Sequence, residues 1–141
     1  MNREAICSAL FAKLAGAATF KTVSRQFRMF SDVSPADQPA LFLVQRSESV
    51  AVVPGLPSVS TLSFDALIYV STHGDKAVAP ASVLNPLIDA VIASMAPLGS
   101  SDKQTLGGLV QHAWVEGEIQ TDEGLLQQQG YALIPIKVKA V

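Results

Sequence analysis

At 141 residues the chain has the length of one domain around one core, and a multidomain enzyme is not expected. Hydrophobic residues make up 49% and charged residues only 16%, against roughly one-quarter charged in ordinary soluble domains, with a mean hydropathy of +0.33. Ten Lys and Arg against twelve Asp and Glu leave a net charge of −2, too near neutral for phosphate-neutralising nucleic-acid binding, and the single Cys7 excludes an internal disulfide and gives no metal-ligand spacing. A monomer so poor in charge would expose large apolar patches, so self-association is the first expectation.

The run Ala5 to Ala12 followed by Ala15-Gly16-Ala17 imitates a signal peptide, but Glu4 and Lys13 spoil the pattern. Ile6, Leu10 and Leu14 recur at helical spacing instead, so Asn2–Ala15 reads as an amphipathic helix capped by Asn2 and stopped near Gly16. Phe20–Phe27 has the half-polar pattern of a strand with one wet face. Ser34-Pro35-Ala36-Asp37 carries an N-cap, a first-position proline and an acid, and Pro39 limits it to one helical turn. The apolar run within Ala40–Arg46 reads as a strand covered on both faces and central in the sheet.

Val50–Val53 leads into Pro54-Gly55-Leu56-Pro57, which cannot sit in a ladder and makes a turn or projecting loop. Over Ser58–Thr72, Leu62, Phe64, Ala66, Ile68 and Val70 alternate with Ser63, Asp65, Leu67, Tyr69 and Ser71, a long strand. With the preceding strand it is expected to form a hairpin that extends past the body, with edges another subunit can complete. After the turn at His73-Gly74-Asp75, the positions Leu84, Leu87, Ile88, Val91, Ile92 and Met95 define a helix. It starts either at Asn85-Pro86 or near Pro80 with a kink, and Pro97 and Gly99 end it. Ser100–Gly108 is a polar connection, Leu109–Ile119 alternates like a strand, and Tyr131–Val138 alternates again, with Pro135 pushing that last strand toward an edge or a bulge.

The expected fold is α+β: a mostly antiparallel mixed sheet of about five strands, two amphipathic helices on one face, and an extended β-hairpin, all in one domain over residues 1–141. Leu67, Tyr69 and Trp114 fall on the face the helices leave open. No run reaches the roughly eighteen apolar residues of a membrane span.

Chemistry is thinly represented. His73 and Asp75 suit a polar turn, His112 suits a packed or interfacial strand position, and Cys7 sits among alanines as a small apolar residue. A metal-dependent hydrolase built on His73, Asp75, His112 and Glu116 is the enzyme alternative. Gly107-Gly108 precedes a strand and not a helix, so it makes no phosphate cradle. Glu116, Glu118, Asp122 and Glu123 crowd one turn without the spacing of a calcium loop; repeated around a ring, such a turn would line a passage with negative charge that keeps a duplex from sticking. No catalytic, cofactor or metal residue is assigned.

Several stretches form a set: Phe20-Lys21-Thr22-Val23-Ser24-Arg25, Asp37-Gln38-Pro39-Ala40-Leu41-Phe42-Leu43 and Pro54-Gly55-Leu56-Pro57. The set continues through Leu84-Asn85-Pro86-Leu87-Ile88-Asp89-Ala90 and from Gln104-Thr105-Leu106-Gly107-Gly108-Leu109-Val110 to Asp122-Glu123-Gly124. In these stretches the chain resembles the small tail terminator or tail completion proteins of long-tailed phages. The resemblance implies a non-enzymatic subunit of a homo-oligomer, a hexameric ring on the head-proximal end of the virion tail. Such a ring is assembled in the host cytoplasm, binds the tail tube protein, and offers a surface to a neck or head completion protein. DNA would pass through it without sequence-specific binding, and neither cofactor nor membrane is implied. Head-to-tail connectors share this size and composition, and a small regulatory binding protein is the third alternative. A radius of gyration of roughly 14 Å gives a diameter of about 35–40 Å, so six wedge-shaped subunits can enclose a duplex-sized passage. Val53, Leu56, Leu67, Tyr69 and Trp114 are the expected tube or subunit contacts, and Glu116, Glu118, Asp122 and Glu123 the expected lumen or neck-facing loop.

Overall fold

The computed structural model describes residues 1–72, 74–123 and 128–141. Helix α1 spans Arg3–Ala15, and the Asn2 side chain accepts from the Ala5 amide as its N-cap. Strand β1 is only Thr22–Ser24, shorter than the expected Phe20–Phe27, and single turns of tight helix follow at Phe30–Asp32 and Pro35–Asp37. The second turn is capped by Ser34, whose hydroxyl accepts from Ala36 N. Strands β2 (Ala40–Ala51) and β3 (Val59–Ser71) pair antiparallel through the loop 52–58. Helix α2 (Pro80–Ser94) starts at Pro80 with Pro86 inside it; β4 (His112–Val115), β5 (Gln120–Asp122) and β6 (Gln129–Ala140) complete the order.

The fold is α+β, two helices and a mixed six-stranded sheet of order β1-β2-β3-β6-β4, with β5 also on β6. β1 pairs parallel with β2, and the other pairings are antiparallel. Ile6, Cys7, Leu10 and Leu14 of α1 and Leu84, Ile88 and Val91 of α2 share one core with Leu41, Leu43, Leu62, Phe64, Ala66, Ile68, Ile134, Ile136 and Val138. That core lies on the first face of the sheet. A smaller cluster of Val33, Ala40, Phe42 and Tyr69, with Phe30, Leu67 and Tyr131 against it, lies on the second face.

Three expectations are corrected. β2 has buried residues on both faces at Leu41 and Phe42 but is not central, because β1 pairs only with Ala40–Phe42. Its outer edge beyond that point has no strand partner among the described residues. The β2–β3 pair is not a free arm, since β6 accompanies β3 as far as Ser60 and only the loop extends beyond. β6 is not an edge strand despite Pro135, lying between β3 and the β4/β5 side. The Pro135 carbonyl accepts from Glu116 N at 3.2 Å, so its missing N–H faces the same side, at the gap between β4 and β5. The proline thus interrupts its neighbour at the C-terminal end of β4, which spans only His112–Val115 of the expected Leu109–Ile119.

Candidate functional site

The loop 52–58 is a preset turn. Leu56 N donates to Val53 O at 3.0 Å across Pro54 and Gly55, and Gly55 has φ +79°. Proline at the second position and a left-handed glycine at the third make a type II turn, which needs glycine there. Its flanking residues Val53 and Leu56 are 52% and 65% exposed, and Val50 and Val52 are exposed beside them. Val53 and Leu56 are the contacts expected from the sequence; Val50 and Val52 belong to the same apolar tip, signalled by the run 49–64, which contains no charged residue.

The second face carries a trough. Phe27, Val44, Leu67 and Leu133 line a depression of ≈230 Å³, closed at one end by Arg46 and Asp65, which pair at 3.2 Å. An adjoining depression of ≈260 Å³ shares Phe27, Leu67 and Leu133 and adds Met29, Phe30, Tyr69 and Tyr131. The walls come from different elements because Leu67 and Leu133 are register partners across β3 and β6, and Val44 of β2 is opposite Asp65, two residues along β3 on the same face. Toward the tip the surface becomes polar, a depression of ≈480 Å³ where Arg46, Asp65, Glu118 and Lys137 gather and Lys137 Nζ donates to Ser63 Oγ at 2.7 Å.

The other expected contact residues do not join the tip. Leu67 is half-buried in the trough floor. Tyr69 is only 3% exposed, edge-on to Phe30 at 5.3 Å and beside Phe42 at 5.4 Å, and its hydroxyl donates to Arg28 O at 2.8 Å. Burial pushes its phenol above the ordinary value. The chain's own segment around Arg28–Val33 therefore covers most of Tyr69, which lines the adjoining depression only with the little surface left exposed. Trp114, half-buried, shares the second face with Lys137 and stacks on His112 at 4.9 Å, away from the trough.

The acidic residues are strung along the broken edge. Glu116 lies beside Pro135 and Asp122 opposite Tyr131, four positions along β6, or roughly 13 Å. Glu116 and Glu118 are exposed and Asp122 is half-buried. Glu123 is engaged in the fold: its carboxylate accepts from Ala81 N at 2.7 Å, in the first turn of α2, where the helix dipole favours an anion. That helix start sits tight on β6 because a side chain at Gly130 would come within 2.8 Å of Asp122 O and 3.3 Å of Pro80 Cβ.

The structure does not assemble the hydrolase alternative. His73 and Gly124 lie outside the described residues. Asp75 accepts from Ala77 N in its own turn, while His112 is opposite Lys139, whose β3 partner is Thr61, so the two lie at opposite ends of β3, roughly 35 Å apart. His112 Nδ1 accepts from Gln104 N at 3.1 Å, a bond that ties the ring to the preceding loop. Cys7 is 2% exposed and burial pushes its thiol up, away from thiolate reactivity. Among the described residues there is no group of three His, Cys, Asp or Glu placed to hold a metal, and no helix long and apolar enough to cross a membrane. Comparison with protein-family models finds no match, and comparison with curated proteins finds none either.

Proposed function

We propose that the protein is a structural component of a phage virion, a ring subunit, six to a ring by resemblance, that caps the head-proximal end of the tail tube. The ring stops tube polymerisation and offers its other side to a neck or head completion protein, with DNA passing through unread. One observation carries the reading: a rigid turn holds Val53 and Leu56 in water at the end of the sheet, where a monomer gains nothing from them. The charge-poor composition supports it. Of the acidic residues Glu116, Glu118, Asp122 and Glu123, the exposed Glu116 and Glu118 are the best placed for a lumen or neck-facing surface, whereas Asp122 is half-buried and Glu123 caps α2.

Polymerising tail tube protein with and without the purified protein, and measuring tube lengths by electron microscopy, tests the proposal. Short, capped tubes are expected, and an unchanged length distribution rejects it. The Val53→Asp/Leu56→Asp variant should lose capping yet keep its fold, because substitutions at such exposed sites shift stability by about 0.5 kcal/mol or less.

A further inference from the structure

We infer that the tip of one subunit plugs into the second-face trough of the next, Val53 and Leu56 seating between Phe27, Val44, Leu67 and Leu133 of a second copy of this chain. This deepens the ring reading and rests on it. The type II turn brings the Cα atoms of Val53 and Leu56 within about 7 Å of each other, a two-pronged apolar plug whose shape is set before contact, so little ordering is needed on docking. The trough has the matching chemistry. Its volume of ≈230 Å³ exceeds the roughly 150 Å³ cavity that takes up benzene, leaving room for a branched aliphatic side chain and part of a second. The charges that line it among the described residues, Arg46 and Asp65, pair with each other, and the plug comes from a charge-free run, so neither side repels the other.

The plug cannot fill its own trough. Leu67 lies eight residues along β3 from Val59, roughly 27 Å, and the loop leaves the sheet at the far end. Plug and socket are therefore different surfaces of one molecule, a head-to-tail contact that propagates from subunit to subunit and makes a ring when the rotation closes. The sheet sets the rise and turn of each step, because plug and trough are both built on β2 and β3.

Mixing two damaged chains tests the contact. Val53→Asp/Leu56→Asp keeps the trough and loses the plug; Phe27→Asp keeps the plug and spoils the trough at a residue already 45% exposed, so folding is unaffected. Light scattering and sedimentation should find the unmodified protein assembled, each variant alone monomeric, and the equimolar mixture stopped at one-to-one dimers, since only one intact plug–trough pair is available. In the otherwise unmodified chain, Leu56→Cys/Leu133→Cys should give a ladder of disulfide-linked subunits under mild oxidation. Monomers of unmodified protein at every concentration, larger assemblies of either variant, an unmixed pair or an absent ladder would each overturn the inference. Dimers and ladder without tube capping would refute the tail reading alone, whereas full capping by Phe27→Asp would refute this contact alone.

Discussion

Tyr69 separates a contact residue from a core residue, and the structure makes the difference large. Replacing it with Ala empties a site 3% exposed and removes ring contacts with Phe30 and Phe42 at 5.3 and 5.4 Å. Truncating a buried aromatic costs about 3–5 kcal/mol, and for a chain of this length each kcal/mol moves the melting temperature by roughly 3 °C, so a fall of about 10–15 °C is expected. Tyr69→Phe keeps the ring and removes only the donor to Arg28 O, for about 0.5–1.5 kcal/mol. Phe30→Ala and Tyr69→Ala in one chain should be less damaging than the two separately, because they share the edge-to-face pair, with a coupling of about 0.5–1.5 kcal/mol. Urea and thermal unfolding followed by the single Trp114 and by circular dichroism gives all four values. An unchanged unfolding midpoint in Tyr69→Ala, coupled with lost self-association, would show the ring on an outer surface and refute the covering role of the Arg28–Val33 segment.

Two further outcomes bear on how the helices are fixed to the sheet. Glu123→Ala should destabilise the fold by about 1 kcal/mol through loss of the cap on α2, and Glu123→Gln by less than half of that, because it keeps an acceptor and loses only the charge; thermal melts at low and high salt distinguish them. Glu48 accepts from Arg3 at 2.7 and 2.8 Å, which together with a bond from Ser60 holds its carboxyl down at about 2 against an ordinary 4.5. A lowered folded-state value means the pairing stabilises fully above pH 4.5 and is lost as the pH falls toward 2. The urea midpoint of the native chain should therefore approach that of Glu48→Gln across this window, and parallel acid profiles would contradict the pairing.

Local signals were the legible ones. Asn2 as the cap of α1, Ser34 as the cap of the short turn and the Pro54-Gly55 turn each depend on neighbours within a few residues, and the alternation over β3 persists because its two faces meet different surroundings. The trough was not legible, because Phe27, Val44, Leu67 and Leu133 meet only through a sheet order that inserts β6 beside β3. Tyr69 reads as open from the sequence for the same reason: its cover comes from Arg28–Val33, a stretch with no periodic pattern, of which Phe30–Asp32 forms a single helical turn. The start of α2 was undecided between Pro80 and Pro86; the structure uses Pro80 as the first helical residue and leaves the exposed Pro86 within the helix, and the capping carboxylate comes from Glu123, distant in sequence. Pro135 carried a real signal read onto the wrong strand, since its effect falls on the partner that needed the missing donor.

The place of β6 has a consequence for biosynthesis. The strand that joins β3 to the β4/β5 side follows the other described elements in chain order, with α2, β4 and β5 intervening between it and β3. Until residues 129–140 have left the ribosome, β3 keeps an open ladder on one side and the trough lacks the wall that Leu133 supplies. Pairing across so long a stretch of chain closes late and slowly. On the proposed contact, a nascent chain offers its tip but lacks a complete trough, so it would end a row of subunits and could not extend one until this strand is in place.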